Sequence, residues 1–166
     1  AKHLKSKEPD AFLMISFAIG ADGMTRTGHF GKGLLQEVSE IEEVDSVGLN
    51  CLNGPVLMIR YVRSLNIKGL KLFSVMPNAG YPRVVGRHAV FQSDPRYYTH
   101  QLSQIAALGV KILGGCCGTT PAHFANVAYE LENIETEFVR EDETPSEAKM
   151  NSGVNRVWEK LEAGER

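Results

Sequence analysis

A short apolar run, a polar loop and a stretch of helical period follow one another four times in this chain, and nothing constrains its fold more. Ala11 to Ala18 is the first run, apolar almost throughout, as a strand covered on both faces would be. A glycine-rich loop from Gly20 to Gly31 follows, and then Leu34, Leu35, Val38 and Ile41 recur at helical spacing. Ser46 to Asn50 is the second strand. Gly54 and Pro55 open the second helix, with proline in the first turn where its missing N–H is not needed. Val56, Ile59, Val62 and Leu65 keep its period. Leu70 to Val75 is the third strand, ended by Met76-Pro-Asn-Ala-Gly80. Asp94 and Pro95 have the form of an N-cap and first helical residue, for a helix running to Leu108 and stopped by Gly109. Val110 to Leu113 is the fourth strand, and Thr120-Pro121 caps a fourth helix reaching about Leu131. Residues 1–8 read as the last turn of a helix that begins earlier.

Such alternation means right-handed βαβ crossovers and an α/β fold with a parallel sheet. Doubly wound sheets and (β/α)8 barrels both fit it. No Gly-x-Gly-x-x-Gly follows any strand, which argues against a dinucleotide-binding sheet. A closed barrel needs eight units and about 250 residues, so four units amount to its half. The units occupy residues 1–134. Residues 135–150 are acidic, with Thr, Ser and Pro, and read as a linker. Residues 151–166 hold an amphipathic helix with Val154, Val157, Trp158 and Leu161 on one side, leading toward a further domain.

Charge excludes some partners. With 18 basic and 20 acidic residues, nothing favours nucleic acid or a membrane surface. No apolar run approaches the roughly 18 residues of a membrane span, and the N-terminus has no signal-peptide pattern. Three cysteines, two adjacent, make no disulfide framework, so a cytoplasmic chain with reduced thiols is expected.

Each cysteine follows a strand directly. In a parallel α/β fold those strand ends share one rim, which brings Cys51 toward Cys116 and Cys117 across two strands. Three thiolates with a fourth position open suit catalytic zinc. The spacing alone also allows a buried apolar Cys51 beside an idle pair, or a vicinal disulfide, disfavoured in a reducing compartment. Gly114, Gly115 and Gly118 let the backbone bend and a ligand approach. A helix starting at Thr120-Pro121 would turn its positive end to the thiols. Asn78, after the third strand, falls between the cysteines. It offers an oxygen to the open position in the absence of substrate, or serves only its turn. Thr25 and Thr27, in the loop after the first strand, are candidates for a substrate carboxylate, against a plain flexible loop. His123 is either a residue orienting a ligand or a helix-surface residue. His29, His88 and His100 read as surface histidines in loops or at a helix start, and Tyr97 and Tyr98 as packing. Gly114, Gly115 and the helix start also suit phosphate, although a phosphate site has no use for thiolates.

In order and spacing, Gly48-Leu-Asn-Cys51, Pro77-Asn-Ala-Gly80 and Gly114-Gly-Cys-Cys-Gly-Thr-Thr-Pro-Ala-His123 resemble the homocysteine S-methyltransferase family. The resemblance runs from about residue 8 to residue 134 and implies the last four units of that family's (β/α)8 barrel. It also implies zinc held by Cys51, Cys116 and Cys117, with the homocysteine sulfur as fourth ligand. Methyl transfer from a donor to that sulfur then gives methionine, with no catalytic group beyond the zinc ligands. The donor stays open among S-methylmethionine, a methylated folate, betaine and methylcobalamin. Asn155 to Gly164 resembles the junction of bifunctional proteins that continue into a methylenetetrahydrofolate reductase domain, where FAD would belong. The first four units are absent, so the fragment alone is expected to be inactive, and a non-catalytic zinc-binding or assembly half-domain is the competing reading. Without an opposing half, the inward faces of Leu13 to Phe17 and Leu72 to Val75 would form an apolar patch. Such a patch calls for the N-terminal half-barrel or a second copy as partner.

Overall fold

The alternation resolves into one parallel sheet with its helices on one side. The computed structural model describes residues 1–91 and 93–132. It opens on α1 (Lys2–Lys7), β1 (Met14–Phe17), α2 (Gly31–Ser39), β2 (Ser46–Asn50) and α3 (Pro55–Arg63). There follow β3 (Leu72–Met76), β4 (Pro82–Val85), β5 (His88–Phe91), α4 (Pro95–Ala107), β6 (Ile112–Leu113) and α5 (Val127–Glu132). The sheet order is β1-β2-β3-β6, parallel at every pairing. Each strand lies beside its predecessor in the sheet, so right-handed crossovers carry α2, α3 and α4 to the same face. The order never reverses, as it must in a doubly wound sheet.

That face is the core. Val47 and Leu49 of β2 and Phe73 and Val75 of β3 are buried against Leu35, Met58, Ile59, Val62, Leu102 and Ile105 of the three helices. Each such side chain contributes about 1.5–3 kcal/mol by leaving water. The α4 helix starts as its sequence predicts, with the Asp94 carboxylate accepting from the Arg96 N–H at 2.9 Å. It stops at Gly109, whose φ of +95° suits glycine.

The other face differs from expectation. Strand residues alternate faces, and across this one the register row is Ser16, Gly48, Ser74 and Ile112. A Cβ on Gly48 would sit 1.9 Å from the Ser74 hydroxyl, so only glycine lets the two strands pair there. Small and polar residues thus replace the apolar patch expected of Leu13–Phe17 and Leu72–Val75. Its large members Phe73 and Val75 turn to the helices instead. Among the described strand residues of this sheet, Met14 and Leu72, at the strand starts, remain as exposed large apolar residues on that side.

Other expectations are corrected. β1 is not buried on both faces: its residues are exposed or half-buried, since the helices cover one face of the sheet alone and, among the described residues, β1 is its edge strand. In α3, Val56 is exposed and the buried face is Pro55, Met58, Ile59 and Val62. The fourth helix is interrupted. A single 3-10 turn over Pro121–His123 is followed by a break and then α5, because His123 and Phe124 both pack edge-on to the Tyr98 ring. His88 lies on a strand, β5, and is exposed like His29 and His100. The β4–β5 hairpin was not anticipated. Its two-residue turn is Gly86-Arg87, with Gly86 at φ +64°, between runs rich in valine. No described helix is long and apolar enough to cross a membrane. The linker over 135–150 and the helix with Trp158 lie outside the described residues.

Candidate metal centre

The strand ends are laced together beyond the sheet itself. From β2, the Cys51 N–H donates to the Met76 carbonyl at 3.1 Å, and the Asn78 N–H returns to the Asn53 carbonyl at 3.0 Å. From β6, the Gly114 N–H reaches the Val75 carbonyl and the Cys116 N–H the Pro77 carbonyl, at 3.1 and 2.9 Å. The Ala79 N–H closes the loop on the Cys117 carbonyl at 2.9 Å. The Asn78 Oδ1 accepts from the Cys117 N–H at 3.1 Å. Residues 76–79 are therefore a splice between the two cysteine-bearing loops, in effect a continuation of the parallel ladder.

The splice brings the three thiols together. Cys51 Sγ lies 3.6 Å from Cys117 Sγ, which lies 3.9 Å from Cys116 Sγ. All three sulfurs fall within 4.8 Å of one another, and no disulfide joins them. With zinc–sulfur bonds of about 2.3 Å, tetrahedral ligands stand about 3.8 Å apart, so the two short separations bracket the spacing that zinc requires. Among the described residues no other group of His, Cys, Asp or Glu side chains has this convergence. The Cys51 backbone reaches its place in the left-handed region, at φ +59°, with Leu52 beside it at +55°. Non-glycine residues held there cost roughly 1 kcal/mol each, and such strain gathers at functional sites.

The cluster divides its protons. Burial pushes the Cys51 thiol up, but hydrogen bonds from the Leu52 N–H, from Cys117 and Cys116 and from Asn78 outweigh it, and its pKa falls below the ordinary thiol value. Cys117 moves the other way, up to about 11, because it hydrogen-bonds Cys51 and Cys116 and their charges oppose its own. The first proton to leave makes the next harder to remove, as expected of thiols this close together.

The other candidates separate. Asn78 is buried, between the cysteines as expected, with its oxygen engaged by Cys117. Thr25 and Thr27 pair hydroxyl to hydroxyl at 3.0 Å, and Thr25 also accepts from the His29 N–H, so the loop is a structured turn. His123 is not on a helix surface but buried. Its Nδ1 accepts from the Thr120 N–H at 3.1 Å, which places its proton on Nε2, a buried atom with no partner among the described residues. The helix dipole expected at the thiols is absent, since only the one 3-10 turn stands there. The phosphate reading loses most of its backbone donors. The N–H groups of Gly114, Cys116, Cys117, Thr119 and Thr120 are all taken by acceptors within the protein. Three contributors escaped the sequence reading. Asn53 holds the Ile19 carbonyl at 2.7 Å, Phe91 of the hairpin packs on Gly118, and Tyr98 is buried beneath both loops. Asn53 and Phe91 had a signal, in a polar residue just past a strand and in a valine-rich hairpin.

Fold and site together define an α/β protein with a three-thiol centre on the C-terminal rim of a parallel sheet. The chain belongs to the homocysteine S-methyltransferase family, whose model matches residues 1–131. It is 42% identical over 92 residues to a methionine synthase of Mycobacterium tuberculosis, an alignment covering 55% of this chain and 8% of that one. A methionine synthase of Mycobacterium leprae is likewise 42% identical, over 86 residues, covering 51% and 7%. The chain thus matches less than a tenth of the length of these curated relatives.

Proposed function

We propose that this chain is the thiol-binding part of an enzyme that methylates homocysteine to methionine. The observation that carries the reading is the trio of sulfurs converging on the rim within 4.8 Å of one another, two of their separations close to tetrahedral spacing. Cys51, Cys116 and Cys117 would hold zinc, leaving a fourth position for the substrate. When bound, zinc would supply a positive charge that keeps the homocysteine thiol ionised, and therefore nucleophilic, at neutral pH. The chain's own residues do the rest by position. Asn78 fixes Cys117 through its backbone N–H and lies between the ligands, where its amide also serves Cys51. Thr25 and Thr27 offer hydroxyls on the same rim for the amino-acid end of the substrate. The substrate sulfur bonds to the methyl carbon as the donor's bond to that carbon breaks. The sequential sheet order, with helices on one face and edges open at β1 and β6, is what four units of a (β/α)8 barrel would show. Four further units would complete it.

Zinc per chain, measured by elemental analysis on reduced protein, tests the centre. About one zinc is expected in the wild type and almost none in Cys116→Ser. Absence of zinc from freshly reduced wild type would overturn the reading. Substituting cobalt separates enzyme from assembly module, because homocysteine perturbs the cobalt spectrum only if the fourth position takes substrate.

A further inference from the structure

Tyr98 lies on α4, away from the rim loops in sequence, yet it is fully buried. Its hydroxyl donates to the Pro77 carbonyl at 2.9 Å and lies 3.3 Å from the Gly114 carbonyl. These carbonyls belong to the two loops that must stay in register for the thiols to converge. Pro77 is the residue whose carbonyl also receives the Cys116 N–H, and its neighbour Asn78 holds the Cys117 N–H. Gly114 begins the double-cysteine loop. One phenol thus joins the splice to the loop at the point where the parallel ladder runs out, two residues into β6. The ring is held in turn. His123 stands edge-on at 5.2 Å and Phe124 at 6.0 Å, and the neighbouring Thr99 hydroxyl donates to the His123 carbonyl at 3.0 Å. Burial, with Cys116 nearby, pushes the phenol far above its ordinary pKa, so it stays a donor. A phenylalanine would pack as well, and for a core position alone the hydroxyl would be a burden, since a buried hydroxyl must find partners.

We propose that Tyr98 is a positioning residue of the metal centre, its hydroxyl setting the spacing of Cys116 and Cys117 against the 77–79 loop and so against Cys51. The inference rests on the metal-binding reading above. It assigns metal affinity to a residue that touches no metal.

Tyr98→Phe in the full chain is the test, with Ser46→Ala as its control. Ser46 donates a comparable hydrogen bond to the Leu72 carbonyl at 2.8 Å, at the opposite end of the sheet. Cobalt(II) affinity is read from the thiolate-to-cobalt absorption in competition with a chelator, and amide exchange is followed in the metal-free proteins. Tyr98→Phe is expected to weaken cobalt binding about tenfold, the worth of one good hydrogen bond. The amides of Cys116, Cys117 and Ala79 should exchange faster, while those of β1 and β2 keep their protection. Ser46→Ala should leave the affinity unchanged. An affinity within about twofold of wild type in Tyr98→Phe, or an equal loss in Ser46→Ala, overturns the proposal. Equal loss of protection across the whole sheet also overturns it, making Tyr98 a residue of the fold alone. A wild type with no thiolate–cobalt absorption overturns the metal reading itself, whereas failure of Tyr98→Phe to differ from a cobalt-binding wild type leaves that reading standing.

Discussion

At the scale of single residues, the double-cysteine loop is shaped by what its glycines leave out. A Cβ on Gly115 would meet the Thr119 hydroxyl at 2.5 Å and the Phe124 ring at 2.8 Å. Thr119 cannot give way freely, because its hydroxyl donates to the Cys116 carbonyl at 2.8 Å and so holds the loop closed. Phe124 is braced against Tyr98. Gly115→Ala should therefore destabilise by about 1–3 kcal/mol, as overpacking does, and should lower metal affinity as Cys116 shifts. Denaturant unfolding and chelator competition check both. A variant with unchanged unfolding midpoint and affinity would show that the loop yields without cost. The cysteines themselves were legible in the sequence, because residues that follow parallel strands must share a rim. Tyr98 was not. Its hydroxyl acts through backbone carbonyls that carry no side-chain signature, and a tyrosine near a helix start reads as packing.

Among the elements, β1 needs explaining, since an edge strand has a ladder on one side alone. It is secured at its start by a side chain from outside the strand. The Asp45 carboxylate accepts from the Leu13 N–H at 2.7 Å and from the Lys5 ammonium at 2.8 Å, tying α1, the entry to β1 and the entry to β2. The Leu13 N–H, then Lys5, hold its carboxyl below the usual range against some desolvation, with Lys71 adding a smaller attraction. A carboxyl whose folded pKa is depressed contributes stability above its unfolded pKa, near 4, and loses it as the pH falls through the folded value. On acidification from pH 5 to pH 3 the wild type should lose melting temperature faster than Asp45→Asn, the two converging at the acid end. Parallel curves would show that Asp45 contributes nothing through its charge. The strands and α4 were legible because period and caps agreed there. The split fourth helix was not, since Thr120-Pro121 announces a helix whether or not His123 and Phe124 are then drawn onto a ring from α4. The hairpin over 82–91 had a signal in Gly86-Arg87 between valine-rich runs, but a chain read as alternating strand and helix has no place for a second sheet.

At the scale of the whole molecule, the centre joins chain segments that are far apart in sequence. Cys51 and Cys117 are 66 residues apart and sit on loops held mainly by backbone hydrogen bonds. β6 contributes only two residues to the sheet, so beyond it this end of the fold is closed by hydrogen bonds between loops. A cation bound by all three thiolates would be a cross-link between the β2 and β6 ends, over the end of β3, and would bind the folded state alone. At a free concentration a hundredfold above its Kd, such a ligand adds about 2.7 kcal/mol. For a chain of this size that raises the melting temperature by about 5–10 °C. The rise should disappear with excess chelator and in Cys116→Ser, in which the trio of thiols is reduced to a pair. Mixed disulfides would mimic loss of metal, so the melts belong in a non-chelating phosphine reductant. If zinc and chelator give the same melting curve, the thiols are not a shared site in the folded chain, and the convergence at the rim has another cause. If the rise survives Cys116→Ser, the ion is stabilising the protein from elsewhere. A rise confined to the intact trio would make the folding of this sheet and the assembly of its centre one equilibrium.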